Sequence, residues 1–160
     1  MNLLTDFTKA NLTKSSLEGI NLKGADLKRV NLSNAKLADS MLAKANLTGA
    51  FLHETDLSRA NLVEANLTEA NLTSALLISA DLQRACLNDA YLVAANLNSA
   101  NLTSASLINA DLSLATLTGA CLNGANLSQA KLNGTFFIES NLLGADLSSS
   151  DFTGALMIKA

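Results

Sequence analysis

The stretch Ala60-Asn61-Leu62-Val63-Glu64-Ala65-Asn66-Leu67-Thr68-Glu69-Ala70-Asn71-Leu72 repeats one five-residue unit: small residue, Asn, Leu, then two mostly polar residues. The unit runs in both directions without a slip. Leu or a close substitute falls on every fifth residue from Phe7 to Met157, and Leu itself fills 27 of these 31 positions, the others being Phe7, Phe137, Phe152 and Met157. We call this position the centre. The residue two before it is Ala in 22 of 31 units and is otherwise mostly Ser or Thr, so it needs little room. The residue just before it is Asn or Asp in 18 of 31, which marks it as a polar, outward slot. So strict a short period sets the architecture ahead of any local propensity.

A helix cannot use this period, because five residues at roughly 100° each leave successive leucines about 140° apart, scattered around its surface. A single long strand cannot use it either, since an odd spacing throws successive leucines to alternate faces. The chain must turn once per unit, so that each Leu points at a common axis. Four equal sides then close a square coil. The centre and the small residue two before it point inward, so that all 27 centre leucines are expected to be buried, and the other three residues point out.

The turn chemistry agrees. All eight glycines sit two after a centre, Gly119, Gly124, Gly134 and Gly144 among them. A type II turn from the centre to the next small residue needs positive φ at that position. Asn34 and Asn109 tolerate the same conformation, and sides with other residues there are free to use the same or a different turn. Proline is absent, as suits a stack in which each coil donates backbone N–H groups to its neighbours.

With these units in view, the chain resembles the pentapeptide-repeat family over essentially its whole length. The resemblance implies an all-β fold, a right-handed quadrilateral parallel β-helix (solenoid) of about eight 20-residue coils. The handedness comes from the resemblance alone. Coils roughly 4.8 Å apart would make a rod of about 38 Å. A repeat array has one continuous core, so residues 1–160 read as a single β-helix domain.

Composition narrows the setting. The net charge is −3 and 49% of residues are apolar, but no apolar run approaches the ~18 residues of a membrane-spanning helix. Met1-Asn2-Leu3-Leu4-Thr5-Asp6 shows neither a basic nor an apolar leader segment, so a cytoplasmic location and no membrane partner are expected. Cys86 and Cys121 stand 35 residues apart, on adjacent sides and nearly two coils from each other. That is beyond the Cα separation of about 7 Å that a disulfide tolerates.

Catalytic chemistry is not legible. His53 is the sole histidine, and Glu54 and Asp56 beside it suggest an acid–base pair. The slot, however, is an ordinary outward one with no cleft implied. The glycines belong to turns, not to a phosphate loop. No catalytic, cofactor-binding or metal-binding residue is assigned, and the outward Asn and Asp rows are expected to bond the backbone of their own or the next coil.

Three surface features exceed what the repeat requires. Residues 1–50 carry seven Lys or Arg against four Asp or Glu, residues 51–100 two against six, and residues 101–160 two against four. Lys9, Lys28 and Arg29 share one side, with Lys23 and Lys44 on the next, which makes an anionic partner conceivable. Apolar residues gather at the C-terminal end: Phe136, Ile138, Leu156 and Ile158 on one side and Leu143 on the next, a candidate interface. A second, mid-rod group comprises Leu76 and Ile78 on one side and Tyr91, Val93 and Leu114 on its neighbour.

The expected function is a non-enzymatic protein-binding or scaffold module with no cofactor. Its C-terminal end would self-associate into a homodimer or dock onto a further segment of a longer chain, beside a further protein partner that the sequence does not name. The resemblance supplies a rival, a DNA mimic that binds or protects a type II topoisomerase. That role wants a strongly acidic rod, whereas the first third of this chain is basic. Direct nucleic-acid binding is not expected.

Overall fold

Asp6 bridges Asp26 in parallel, and the pattern continues every five residues to Phe136 and Leu156, always across a spacing of twenty. The structure, a computed structural model, describes residues 6–160. Met1–Thr5, part of the segment inspected for a leader, lie outside the described residues. Twenty residues therefore make one coil and five make one side. We number the faces by their centres: the first holds Phe7, Leu27 and Leu47, the second Leu12, Leu32 and Leu52, the third Leu17, Leu37 and Leu57, the fourth Leu22, Leu42 and Leu62. Each bridge is one residue wide, so the described chain is built from isolated parallel bridges and not from extended strands.

One unit accounts for all five of its backbone N–H groups. The Leu62 and Glu64 N–H groups donate to the carbonyls of Asp81 and Gln83 in the following coil, at 2.7 and 2.9 Å. The Asn61 N–H donates back to the Ser40 carbonyl at 2.9 Å, and the Ala65 N–H closes the turn on Leu62 at 3.0 Å. The Val63 N–H, which has no backbone acceptor, donates to the Asn61 side-chain oxygen at 3.1 Å. Every one of the 18 Asn or Asp residues in that slot accepts the N–H two residues on. The slot thus satisfies the one donor that the coil geometry would otherwise strand. Where Ser106 and Thr116 occupy it, Asn88 and Asn98 of the preceding coil take the N–H of Ile108 and Thr118 instead, at 3.1 and 3.0 Å.

The turn is uniform. φ is positive two after every centre from Lys9 to Lys159, at 23 non-glycine residues as well as at all eight glycines. The residue before each of these is not in that region, which is the sign pattern of a type II turn. The turn left open at the non-glycine sides is therefore the same as at the glycines. The ladder bonds on both sides of the corner impose one backbone path, whatever residue stands there.

The inward pair forms the core. Leu22 through Leu132 at the centres, Phe137, and the Ala column two before them pack as one cluster. Twenty-three of the 27 leucines are buried, while Leu12, Leu17, Leu142 and Leu147 are half-buried. The expectation that all 27 would be buried fails at the outer coils, where a neighbour covers only one side. Two threonines in the small slot are bonded inside: the Thr55 and Thr135 hydroxyls donate to the carbonyls of Leu32 and Leu112, each at 2.8 Å.

Candidate interaction surfaces

Repetition fixes where outward side chains stand: residues twenty apart form vertical columns, and every face or corner is a set of such columns. Among the described residues, no group of three His, Cys, Asp or Glu side chains could hold a metal ion. The His53 Nδ1–H donates to the Thr73 carbonyl of the following coil at 3.0 Å, and Nε2 lies 3.4 Å from Glu54. The imidazole is tied to the ladder on an open face, and Asp56 is occupied by the N–H of Ser58. Cys86 and Cys121 are free thiols. Each takes the slot before a centre and contacts a Thr hydroxyl of the previous coil, Thr68 at 3.2 Å and Thr103 at 3.3 Å.

The C-terminal apolar residues are brought together as columns. Phe136 bridges Leu156, and Ile138 lies one coil from Ile158, whose carbonyl accepts the Glu139 N–H. Phe136, Leu156 and Ile158 are exposed and Ile138 is half-buried. Met157, a centre, is 46% exposed, in contrast to Phe137 one coil earlier at 0%. Sequence reasoning placed Met157 in the core, but in this coil it adds to the apolar surface. Leu143 is the most exposed of the large hydrophobic residues at 77%, yet it stands apart from the group. The Lys159–Glu139 ion pair, 3.2 Å long, occupies the corner between them. Leu143 instead lines a depression of about 540 Å³ with Leu142, Asn141, Ser140 and that ion pair.

The mid-rod residues spread over two faces and the corner between them. Leu76 and Ile78 are on the third face and Tyr91 and Val93 on the second, one coil further along. Leu114 stands on the corner between these faces, leaning over Gly134. A Cβ built at Gly134 would lie 3.0 Å from Leu114 Cδ2, so this glycine gives the Leu114 side chain its resting place.

Charge is arranged by corner. Between the fourth and first faces, Glu64 sits between Lys44 at 3.3 Å and Arg84 at 2.8 Å. Their bonds, that of Arg84 first, hold its carboxyl below the usual range. Between the third and fourth faces, Arg59 makes a two-point contact with Asp39 at 2.8 and 2.7 Å. Lys44, counted by sequence with the basic group, is therefore neutralised in place. Lys9, Lys28 and Arg29 are not: they make no ion pair with a described residue. Together with Thr8 and Thr48 they line a groove of about 290 Å³ on the first face.

A family model described as pentapeptide repeats, in eight copies, matches residues 5–42, 38–73, 55–93, 95–134 and 120–157. Among solved structures, the chain is 36% identical to HetL, a pentapeptide repeat protein involved in heterocyst differentiation regulation from the cyanobacterium Nostoc sp. That match covers 96% of this chain and 76% of HetL with a TM-score of 0.49. QnrB1, a plasmid-mediated fluoroquinolone resistance protein, is 18% identical over 98% of this chain and 83% of that one, with a TM-score of 0.53. A pentapeptide repeat protein from the Arabidopsis thaliana thylakoid lumen is 28% identical over 76% of this chain and 68% of its own, with a TM-score of 0.37. No curated protein matches the chain significantly. The unbroken five-residue register and the matching family model lead to one conclusion: the chain belongs to the pentapeptide repeat family.

Proposed function

We propose that the chain is a non-enzymatic, protein-binding rod, wound right-handed as its family membership implies, that self-associates through the third face at its C-terminal end. The observation that carries this is the contiguous apolar surface of Phe136, Leu156, Met157 and Ile158, all exposed, with half-buried Ile138 among them. A group of this kind on a folded surface marks a contact site far more often than an isolated hydrophobe does. The half-buried Leu142, Leu147 and Phe152 adjoin it and would gain cover from the same contact. Sedimentation of the wild-type chain at high salt, about 500 mM, where charge contacts are screened, tests it: a dimer is expected, and Leu156→Glu with Ile158→Glu should give a folded monomer under the same conditions. A wild-type chain that stays monomeric at high micromolar concentration overturns the self-association.

The DNA-mimic alternative needs rows of unneutralised carboxylates. Asp39, Glu64, Asp111 and Glu139 each face a cation, and the basic groove interrupts the rod, so the protein-binding reading is preferred. Unchanged activity of purified gyrase in a supercoiling assay is the outcome expected from it.

A further inference from the structure

The corner between the first and second faces has a charge order unlike that of any other corner. Its column begins Lys9, Arg29, Gly49, Glu69, Asp89, two cations, a glycine and two carboxylates, and continues with the uncharged Asn109, Gln129 and Ser149. On two of the other corners, opposite charges stand in adjacent coils and pair: Lys44–Glu64, Glu64–Arg84, Asp39–Arg59 and Glu139–Lys159; the corner between the second and third faces carries only Lys14 and Glu54, two coils apart. Here like charges are neighbours, roughly 5 Å apart by the coil rise, and Gly49 separates the two signs. No member of the column ion-pairs with a described residue. In an isolated chain this order is repulsive twice over.

The same order is antisymmetric in charge about Gly49. Rotation by 180° about an axis through Gly49, perpendicular to the rod, places Lys9 opposite Asp89 of a second copy and Arg29 opposite Glu69. Each pair occurs twice, which is the self-complementarity that a two-fold contact requires. We propose that two copies of this chain pack side by side and antiparallel across this corner, with Gly49 on the two-fold axis. The acidic ridge of each copy then enters the groove of about 290 Å³ that Thr8, Lys9, Lys28, Arg29 and Thr48 form on the other.

The neighbouring residues fit this contact. Phe51, next to Gly49 on the second face, is 50% exposed, and the axis brings it against its own symmetry mate. Gly49 removes a side chain where the two ridges approach most closely, and Arg29 lies along it: a Cβ at Gly49 would sit 3.3 Å from Arg29 Cγ. Glu69 accepts no side-chain bond, and Asp89 accepts one, from Asn109 at 2.7 Å. Both carboxylates therefore have lone pairs left for a partner. The contact spans five coils, roughly 24 Å of rod, which puts it at the small, charge-dominated and salt-sensitive end of specific interfaces.

The test uses the Leu156→Glu, Ile158→Glu chain, in which the C-terminal contact is removed, so that the two modes of association report separately. In about 50 mM salt this chain should still sediment as a dimer, weakening at least tenfold by about 500 mM. Arg29→Glu and Glu69→Arg, each added to it, should reduce dimerisation by about tenfold or more. Both replacements put a residue type already present in this column at another of its positions, and circular dichroism should show each variant folded. Mixing the two variants in equal amounts should restore dimerisation, because each then offers the charge the other lacks. A monomeric parent at low salt, or a mixture that associates no better than its components, overturns the proposal.

Discussion

Ala94 holds a φ of 55°, a region that costs an L-residue roughly 1 kcal/mol or more and glycine almost nothing. It stands exposed on a corner, so Ala94→Gly removes strain and no packing. The usual sign of an Ala-to-Gly change should therefore reverse, with the variant more stable by about 0.5–1 kcal/mol in a denaturant titration; a less stable variant would show that the ladder holds this corner without strain. Ser40 tells a related story inside. It takes the slot where Ala is usual, is fully buried, and its hydroxyl has no hydrogen-bond partner. Ser40→Ala should stabilise the chain by about 1 kcal/mol through loss of an unmet polar group, whereas Thr55→Ala removes a bonded hydroxyl and should not. The glycines advertised the turn because their residue type is informative. Lys9, Ala94 and Leu114 adopt the same conformation without any such sign, and for them the ladder decides.

At the scale of the coil, the slot before each centre acts as a cap. Asp151 shows the chemistry most fully: its carboxylate accepts the Thr153 hydroxyl at 2.6 Å, the Asn133 amide at 2.7 Å and the Thr153 N–H at 3.0 Å. These bonds, the Thr153 hydroxyl first, hold its pKa down to about 2. Because the folded value lies below the unfolded one, the stabilisation is complete above the ordinary carboxylate range near 4 and fades as the pH falls toward 2. A carbon-13 titration should place the Asp151 midpoint near 2, and Thr153→Ala should move it up toward the ordinary range. An unmoved midpoint would mean that Thr153 is not the main donor. The sequence announced that Asn and Asp would bond backbone groups, since their spacing to the centre is fixed. Bonding to the next coil was expected of that slot as well, but Asn88 and Asn98, one after a centre, are the residues that serve it, which becomes visible only when residues twenty apart are stacked.

Across the whole molecule, the fold was legible because one period carried it from Phe7 to Met157. The surfaces were less so. Leu143 read as a neighbour of Phe136 until the Glu139–Lys159 pair was found between them. The basic cluster read as one group until Lys44 proved to be neutralised by Glu64. A five-residue frame hides such relations, and a twenty-residue frame exposes them, as it does the order of Lys9, Arg29, Gly49, Glu69 and Asp89. The ladder bonds have a mechanical consequence as well. They run from coil to coil, so tension applied between the two ends of the rod pulls each bond open along its own axis instead of shearing many at once. Neighbouring coils are joined only to each other, so the outermost should peel first and leave an equivalent edge behind. Single-molecule stretching should thus give low-force, near-equal extensions of roughly 65 Å, one 20-residue coil at about 3.3–3.6 Å per residue less the rise it gives up. A single high-force rupture releasing the full contour would show that the coils do not yield independently.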